Sequence, residues 1–424
     1  MYPVSGRRDF FAVIRKGLAA LGVASQSGML AAAETANHSG LAEGEDYYKK
    51  LGVTKIINAA GTYTVLTAST MPPPVQAAVA RAAKHPVHLL ELQNNAGEYL
   101  AKKLKCEAAM VTAGASSALT LGTAACVMKA NNIKIEEIPL AVPHLKNEVL
   151  IQKGHRYGYD VGLLTCGIKF VEVETLQDYE SAFSDQTVLA HFYNASERGL
   201  ISREDWIRVA HAHDVPCFND AAADVPPISN LWNYTQMGFD LVTFSGGKGM
   251  RGPQNAGLLL GKSDLIAAAV KNNNPFDGVG RGMKVAKEQI VGMVAAVDWF
   301  LSQTDEGMQA DFRKRAERIA THLKTLPSLT SEIVIPPVAN HVPHLLLRYD
   351  HDRLKITPRE VLTELRKGNP SIELNPSTGS MQGASAGIPA DGKTIVVGVW
   401  MLQPGEEMIV ARRLHEVLSN AAYV

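Results

Sequence analysis

Two periodicities divide the chain. From about Lys55 to Gly261, short apolar runs alternate with Ala-rich stretches whose apolar residues recur at helical spacing. The runs Ala108–Thr112, Glu148–Ile151, Ile168–Val173, Val188–Phe192, Val215–Asn219, Leu241–Ser245 and Gly257–Leu260 read as seven strands. Between them, Pro73–Lys84, Asn95–Leu104, Ala115–Lys129 and Arg203–His213 read as helices. Strands separated by helices of this length form parallel βαβ units, with a sheet covered on both faces. Glu288–Leu301 predicts a long amphipathic helix leaving this domain, and Asp311–Thr325 a second helix. Strands are then expected around Glu332–Pro336, His344–Tyr349 and Lys393–Val399, with a closing helix over Glu406–Ala421. The expected organisation is a large α/β domain over 47–300 and a smaller C-terminal α+β domain over 301–424, with a loose stretch at 375–387.

Residues 1–36 follow another pattern. Arg7-Arg8 precedes Asp9-Phe10-Phe11, and a mildly apolar stretch runs from Gly17 to Ala33, where Ala31-Ala32-Ala33 offers a cleavage site. This resembles a twin-arginine (Tat) export signal, implying export of the folded protein to the periplasm or beyond by the Tat machinery. The alternative is an amphipathic N-terminal helix of a cytoplasmic enzyme. The stretch is too short and too weakly apolar to serve as a stable membrane anchor.

Composition narrows the function. With 42 basic and 42 acidic residues the formal net charge is zero, which argues against a nucleic-acid or anionic-membrane binder, since both need a basic field. Cleavage after Ala33 would leave 38 basic and 41 acidic residues, a net charge of −3. The apolar fraction of 46% suits a packed core rather than a disordered chain. Cys106, Cys126, Cys166 and Cys217 are widely spaced without a CxxC pair and read as small core residues, so neither a disulfide nor a metal site is expected. His85, His88, His341 and His344 fall in different segments and read as ordinary loop or strand histidines.

The chemistry concentrates between Val188 and Arg251. An apolar strand ends in Asp220, and another leads into Ser245-Gly246-Gly247-Lys248-Gly249-Met250-Arg251. In open parallel sheets functional groups gather at the carboxyl ends of strands, so Asp220, Ser245 and Lys248 are expected on one rim. A lysine just after a buried strand loses charge stabilisation, and its amine becomes available for Schiff-base chemistry. Its flanking glycines are expected to let a planar cofactor approach the backbone. Val111-Thr112-Ala113-Gly114-Ala115-Ser116-Ser117 runs from a strand into a helix whose free N-terminal amides can bind phosphate. Lysine, aspartate and phosphate loop together describe a site for pyridoxal 5′-phosphate (PLP). Lys248 holds the cofactor, Asp220 keeps the pyridine nitrogen protonated, and the loop takes the phosphate.

The segments INAAGTYT (57–64), VTAGASSAL (111–119), QKGHRYGYD (152–160), DAAADVPP (220–227), FSGGKGMRGPQNAG (244–257) and GRGMKVAKEQIVG (280–292) resemble the SelA-related family. These are fold type I PLP enzymes that include selenocysteine synthase and D-glucosaminate-6-phosphate ammonia-lyase. The resemblance runs from about residue 50 to the C-terminus. It implies a PLP-dependent transferase fold with a mainly parallel seven-stranded sheet. It also implies Lys248 as the Schiff-base lysine, Asp220 as the pyridine-nitrogen partner, and Gly114, Ala115 and Ser116 with Ser245 as the phosphate cradle. His155 falls where the fold places a side chain that stacks on the cofactor ring, and so is expected to be catalytic. Arg251 and Arg281 read either as binders of an anionic substrate or as structural ion pairs, Arg156 more weakly so. Gln254 reads as a residue that shapes the lysine loop. By analogy with the fold, a homodimer or larger homo-oligomer is expected.

The expected activity is reaction at the α-carbon of a small amino acid or amino-sugar acid. Elimination of the ammonia-lyase type leads, with racemisation open because both begin with the same proton removal by Lys248. A seryl-tRNA selenium transferase is disfavoured, since the signal-like segment stands where those enzymes carry a tRNA-binding region and no basic stripe is visible. A catalytically idle exported binding protein is disfavoured because Lys248 and Asp220 are both present.

Overall fold

A computed structural model of the chain describes residues 44–421 except Glu197, Asp352 and 383–386. The signal-like segment 1–36 lies outside the described residues. Residues up to Lys55 form a unit apart from Ile56–Val424. Of the first unit, residues 44–55 carry one short helix, Tyr47–Lys50, whose N-cap Asp46 accepts hydrogen bonds from the Tyr48 and Lys49 amides.

The strands are β1 (Ile56–Ala59), β2 (Ala108–Thr112), β3 (Glu148–Gln152), β4 (Lys169–Val173), β5 (Thr187–Tyr193), β6 (Cys217–Asp220), β7 (Leu241–Ser245), β8 (Gly257–Gly261), β9 (Thr330–Val334), β10 (His344–Arg348), β11 (Ser371–Leu374) and β12 (Ile395–Gly398). Seven of them form the central sheet in the order β2-β8-β7-β6-β5-β3-β4. All neighbours pair parallel except β8, which runs antiparallel to both β2 and β7. The exception has a local cause. Residues 246–256, between β7 and β8, contain no helix to carry the chain back across the sheet, so β8 returns beside β7. Six of these strands are buried almost throughout, as sheets covered on both faces require, while the edge strand β4 buries only Val173.

Two apolar clusters cover the faces. One gathers Leu100, Trp206, Phe244, Met293 and Phe300. The other gathers Leu119, Leu121, Phe218 and Leu265, most of them from or against the helix Ala115–Asn131. Trp206 is fully buried, with its ring 3.9 Å from that of Tyr179 and nearly parallel to it. The C-terminal part carries the antiparallel sheet β12-β10-β9, backed by the helices Asp305–Leu323 and Glu406–Ala421. A two-stranded sheet joins β1 to β11 in parallel, Ile56 opposite Ser371, and Ile57 and Ala59 enter the C-terminal core. The small domain therefore borrows a strand from residues that the pattern assigned to the large one. Among the described residues no helix is long and apolar enough to cross a membrane.

Candidate active site

The sheet order brings β2, β8 and β7 side by side at one rim, where Thr112 and Ser245 both pair with Gly257. Beyond Thr112 the chain turns at Gly114 (φ 88°) into the helix Ala115–Asn131. The first helical hydrogen bond runs from the Ala118 amide to the Gly114 carbonyl, leaving the amides at Ala115, Ser116 and Ser117 without helical partners. Gly257 makes this geometry possible. A Cβ there would lie 2.6 Å from the Gly114 carbonyl carbon and 2.8 Å from the Ala115 nitrogen. Gly257→Ala is therefore expected to displace the loop. The overpacking should cost roughly 1–3 kcal/mol, and absorbance titration should show PLP affinity falling by about tenfold or more.

Lys248 stands in the turn after β7, and its amine makes no hydrogen bond or ion pair with any described residue. Burial lowers its pKa from the ordinary lysine value, against the pull of the Asp220 and Asp224 carboxylates. The glycines around it allow close packing between backbone segments. A Cβ on Gly249 would lie 2.0 Å from the Val225 carbonyl oxygen, and one on Gly247 would lie 2.7 Å from the Gln254 Cα. The segment after β1 clamps the same turn. Ser69 Oγ donates to the Gly247 carbonyl at 2.6 Å, Arg251 Nε to the Thr70 carbonyl at 2.8 Å, and Gln254 Nε2 to the Thr64 carbonyl at 3.1 Å. Gln254 thus shapes the loop, as its place after the Gly-Pro turn suggested.

Asp220 closes β6 and is buried. Its Oδ1 accepts from the Ala222 amide at 3.0 Å, and its Oδ2 accepts a short hydrogen bond from the Tyr157 hydroxyl. Burial raises its pKa, while the Tyr157 hydrogen bond, the Ala222 amide and the Lys248 charge hold it down. Four residues on, buried Asp224 accepts from Asn194 Nδ2 at 2.8 Å, and burial pushes its carboxyl up to about 6. Asn194 also receives a short hydrogen bond from Arg203 and donates to the Tyr234 hydroxyl at 2.9 Å. Asp224 stands inside the quoted DAAADVPP segment, yet sequence reasoning gave it no role.

The histidine expectation is corrected. His155 is buried; its Nδ1 accepts from the Tyr193 amide at 3.2 Å, and its ring packs edge-on against Phe192 at 4.5 Å. A Cβ on Gly199 would lie 2.4 Å from its Nε2, so the space beside the ring is closed. Burial, aided by the nearby Arg203 charge, lowers its pKa to about 4. The residue from this loop that reaches Asp220 is Tyr157, whose ring stacks on Tyr193 at 3.9 Å. The signal was present two residues further along, but a loop's sequence does not tell which side chain turns inward.

Of the arginines, Arg251 is half-buried beside the lysine turn. Arg281 is exposed, with Asp277 Oδ1 at 3.4 Å and Asn274 Oδ1 at 3.2 Å as its partners. Arg156 is held by Asp160 and Glu172 on the surface and reads as structural.

The rim fits PLP. It offers an amine without a partner, a buried carboxylate, free helix-start amides kept open by Gly257, and two hydroxyls without partners. Of these, Ser245 ends β7 and Ser117 Oγ is buried at the helix start, and neither hydroxyl has a partner among the described residues. Lys248, Asp220, Ser245 and the amides from Ala115 onward are the groups that would hold it.

Comparison with known proteins agrees. Residues 162–335 match the family of L-seryl-tRNA selenium transferase, SelA. The chain is 26% identical over 392 residues to D-glucosaminate-6-phosphate ammonia lyase of Salmonella typhimurium, covering 88% of this chain and 98% of the relative. It is 28% identical over 341 residues to 5′-C-glycyluridine monooxygenase-decarboxylase of a Streptomyces species, covering 77% of this chain and 83% of that one. The solved structure of D-glucosaminate-6-phosphate ammonia-lyase superposes with a TM-score of 0.75 at 24% identity, over 90% of this chain and 100% of the other. Fold and rim together define a PLP-dependent enzyme of fold type I. Within that class, the chain is similar to the SelA-related enzymes, its match to the family model lying over residues 162–335.

Proposed function

We propose that the enzyme converts a small β-hydroxylated amino acid or amino-sugar acid to ammonia and a 2-oxo acid, the water lost at Cβ being taken up again when the released enamine hydrolyses. The observation that carries this reading is the unpaired Lys248 amine, its pKa lowered by burial, on the same rim as buried Asp220. Similarity to an ammonia lyase along nearly its whole length supports the choice of reaction. When bound, PLP supplies an electron sink for the bond broken at the substrate α-carbon.

The chain's own residues divide the remaining work. Lys248 Nζ, favoured as the neutral amine, takes the α-proton and holds it for return to the leaving hydroxyl. Asp220 stays anionic with help from the Tyr157 hydroxyl and the Ala222 amide, and so favours a protonated ring nitrogen beside it. The amides of Ala115 and Ser116, with Ser245, orient the phosphate end. The clamp from Ser69 and Thr70 keeps the lysine turn in place.

Incubating D- and L-amino acids with the enzyme in heavy water tests the reading by mass spectrometry. Deuterium uptake at Cα with formation of 2-oxo acid and ammonia is the expected result. Uptake with inversion and no ammonia would replace elimination by racemisation.

A further inference from the structure

A second feature adjoins the lysine turn, a cavity of about 320 Å³ lined by Gly249, Arg251, Trp299, Asp311, Arg315 and Trp400. This volume falls at the lower end of the ~300–1,000 Å³ typical of small-molecule sites. Two guanidiniums face it from different parts of the fold. Arg251 adopts a left-handed backbone (φ 53°), unusual for a side chain of its size, and its Nε is fixed to the Thr70 carbonyl. Its two terminal nitrogens have no partner among the described residues, and its plane lies over the Trp299 ring at 5.7 Å. Burial and the charge of Arg315 both lower its pKa. Arg315 sits on the helix Asp305–Leu323, where Nη1 donates to the Leu402 carbonyl and Nη2 to Asp311 Oδ2 at 2.5 Å. Asp311 offsets one positive charge, and a net positive charge remains between two indoles. Like charges held together in a half-buried cavity repel each other unless an anion joins them.

We propose that this cavity is an anion subsite for the group at the far end of the substrate, a phosphate monoester or a carboxylate gripped between Arg251 and Arg315. The inference rests on the reading above that the substrate is a small acid of the amino-acid type. It adds that the substrate carries a second anionic group, and it names Arg315, which the sequence did not single out. Guanidiniums recognise both anions through paired N–H donors, which lysine cannot reproduce.

Trp299 and Trp400 line the cavity and are two of the four tryptophans in the chain, so intrinsic fluorescence reports on it. The test titrates the PLP-loaded enzyme, whose own phosphate cradle is filled, with inorganic phosphate and separately with succinate. A saturable fluorescence change with either anion is expected, and the anion that binds identifies the group accepted. Arg251→Gln and Arg315→Gln should each weaken binding by roughly tenfold or more, and Arg315→Lys should recover only part of it. Retention of the near-visible PLP band and an unchanged melting temperature show that each variant is folded and loaded. If one variant unfolds, the other carries the comparison. No saturable change with either anion, or equal affinity in loaded variants and wild type, overturns the subsite. Loss of the PLP band in the wild type would instead overturn the reading on which it rests.

Discussion

Lys248→Ala should abolish turnover while leaving the fold intact. The side chain supplies both the point of cofactor attachment and the base for the α-proton, and removing a positioned base alone costs roughly 10²–10⁴ in rate. A fall of at least about 10³-fold in α-deuterium exchange is therefore expected. Stability should move the other way. The folded protein holds this amine below its ordinary pKa, so between the folded and unfolded pKa values the unfolded chain binds more protons. Holding the lysine thus lowers stability below its ordinary pKa, increasingly so as pH falls toward the folded pKa and by a constant amount below it. Since its amine has no partner to lose, Lys248→Ala should melt at the same temperature as wild type or slightly higher. Thermal denaturation beside the exchange assay checks both halves. A large loss of stability would mean that the lysine is structural.

The second large effect is at Asp220. Asp220→Ala removes the carboxylate beside the ring nitrogen. Removing a preorganised group that stabilises charge in the transition state costs about 10²–10³ in rate, so α-proton exchange should slow by about 10² or more while PLP still binds. Asp220→Asn keeps the shape and removes the charge, and it should fall almost as far. Tyr157→Phe separates the charge from its support. Without the phenol hydrogen bond, the main influence holding the Asp220 pKa down is lost and the pKa rises. Activity should then fade at a higher pH on the acid side than in the wild type, with the alkaline side unchanged. Exchange rates measured across the pH range check the direction, and an unmoved acid limb would show that Tyr157 does not support the carboxylate.

Much of this site was legible because strand-end chemistry has local signatures. A carboxylate after VPCFN and a lysine after LVTFS require only that two apolar runs become neighbouring parallel strands. Six of the seven central strands could be read for the same reason, since burial on both faces makes them nearly continuous apolar runs; the edge strand β4 is only partly buried. What escaped depends on partners distant in sequence. β1 and β11 are four-residue strands that pair across some 300 positions, and neither has a periodicity that marks it without the other. The close approach of the lysine-turn glycines to the backbone at Val225 and Gln254 likewise depends on distant partners. His155 and Tyr157 differ only in which way the loop turns them. Asp224 and Arg315 look like ordinary charged residues until Asn194 and Arg251, respectively, are set close to them.

Borohydride reduction of the PLP-loaded protein, followed by peptide mass mapping, puts the central assignment to the most direct test. Reduction should fix one pyridoxyl group per chain on the peptide containing Lys248. A label on another lysine, or a protein that takes up no PLP, would contradict the assignment of this rim as the active site.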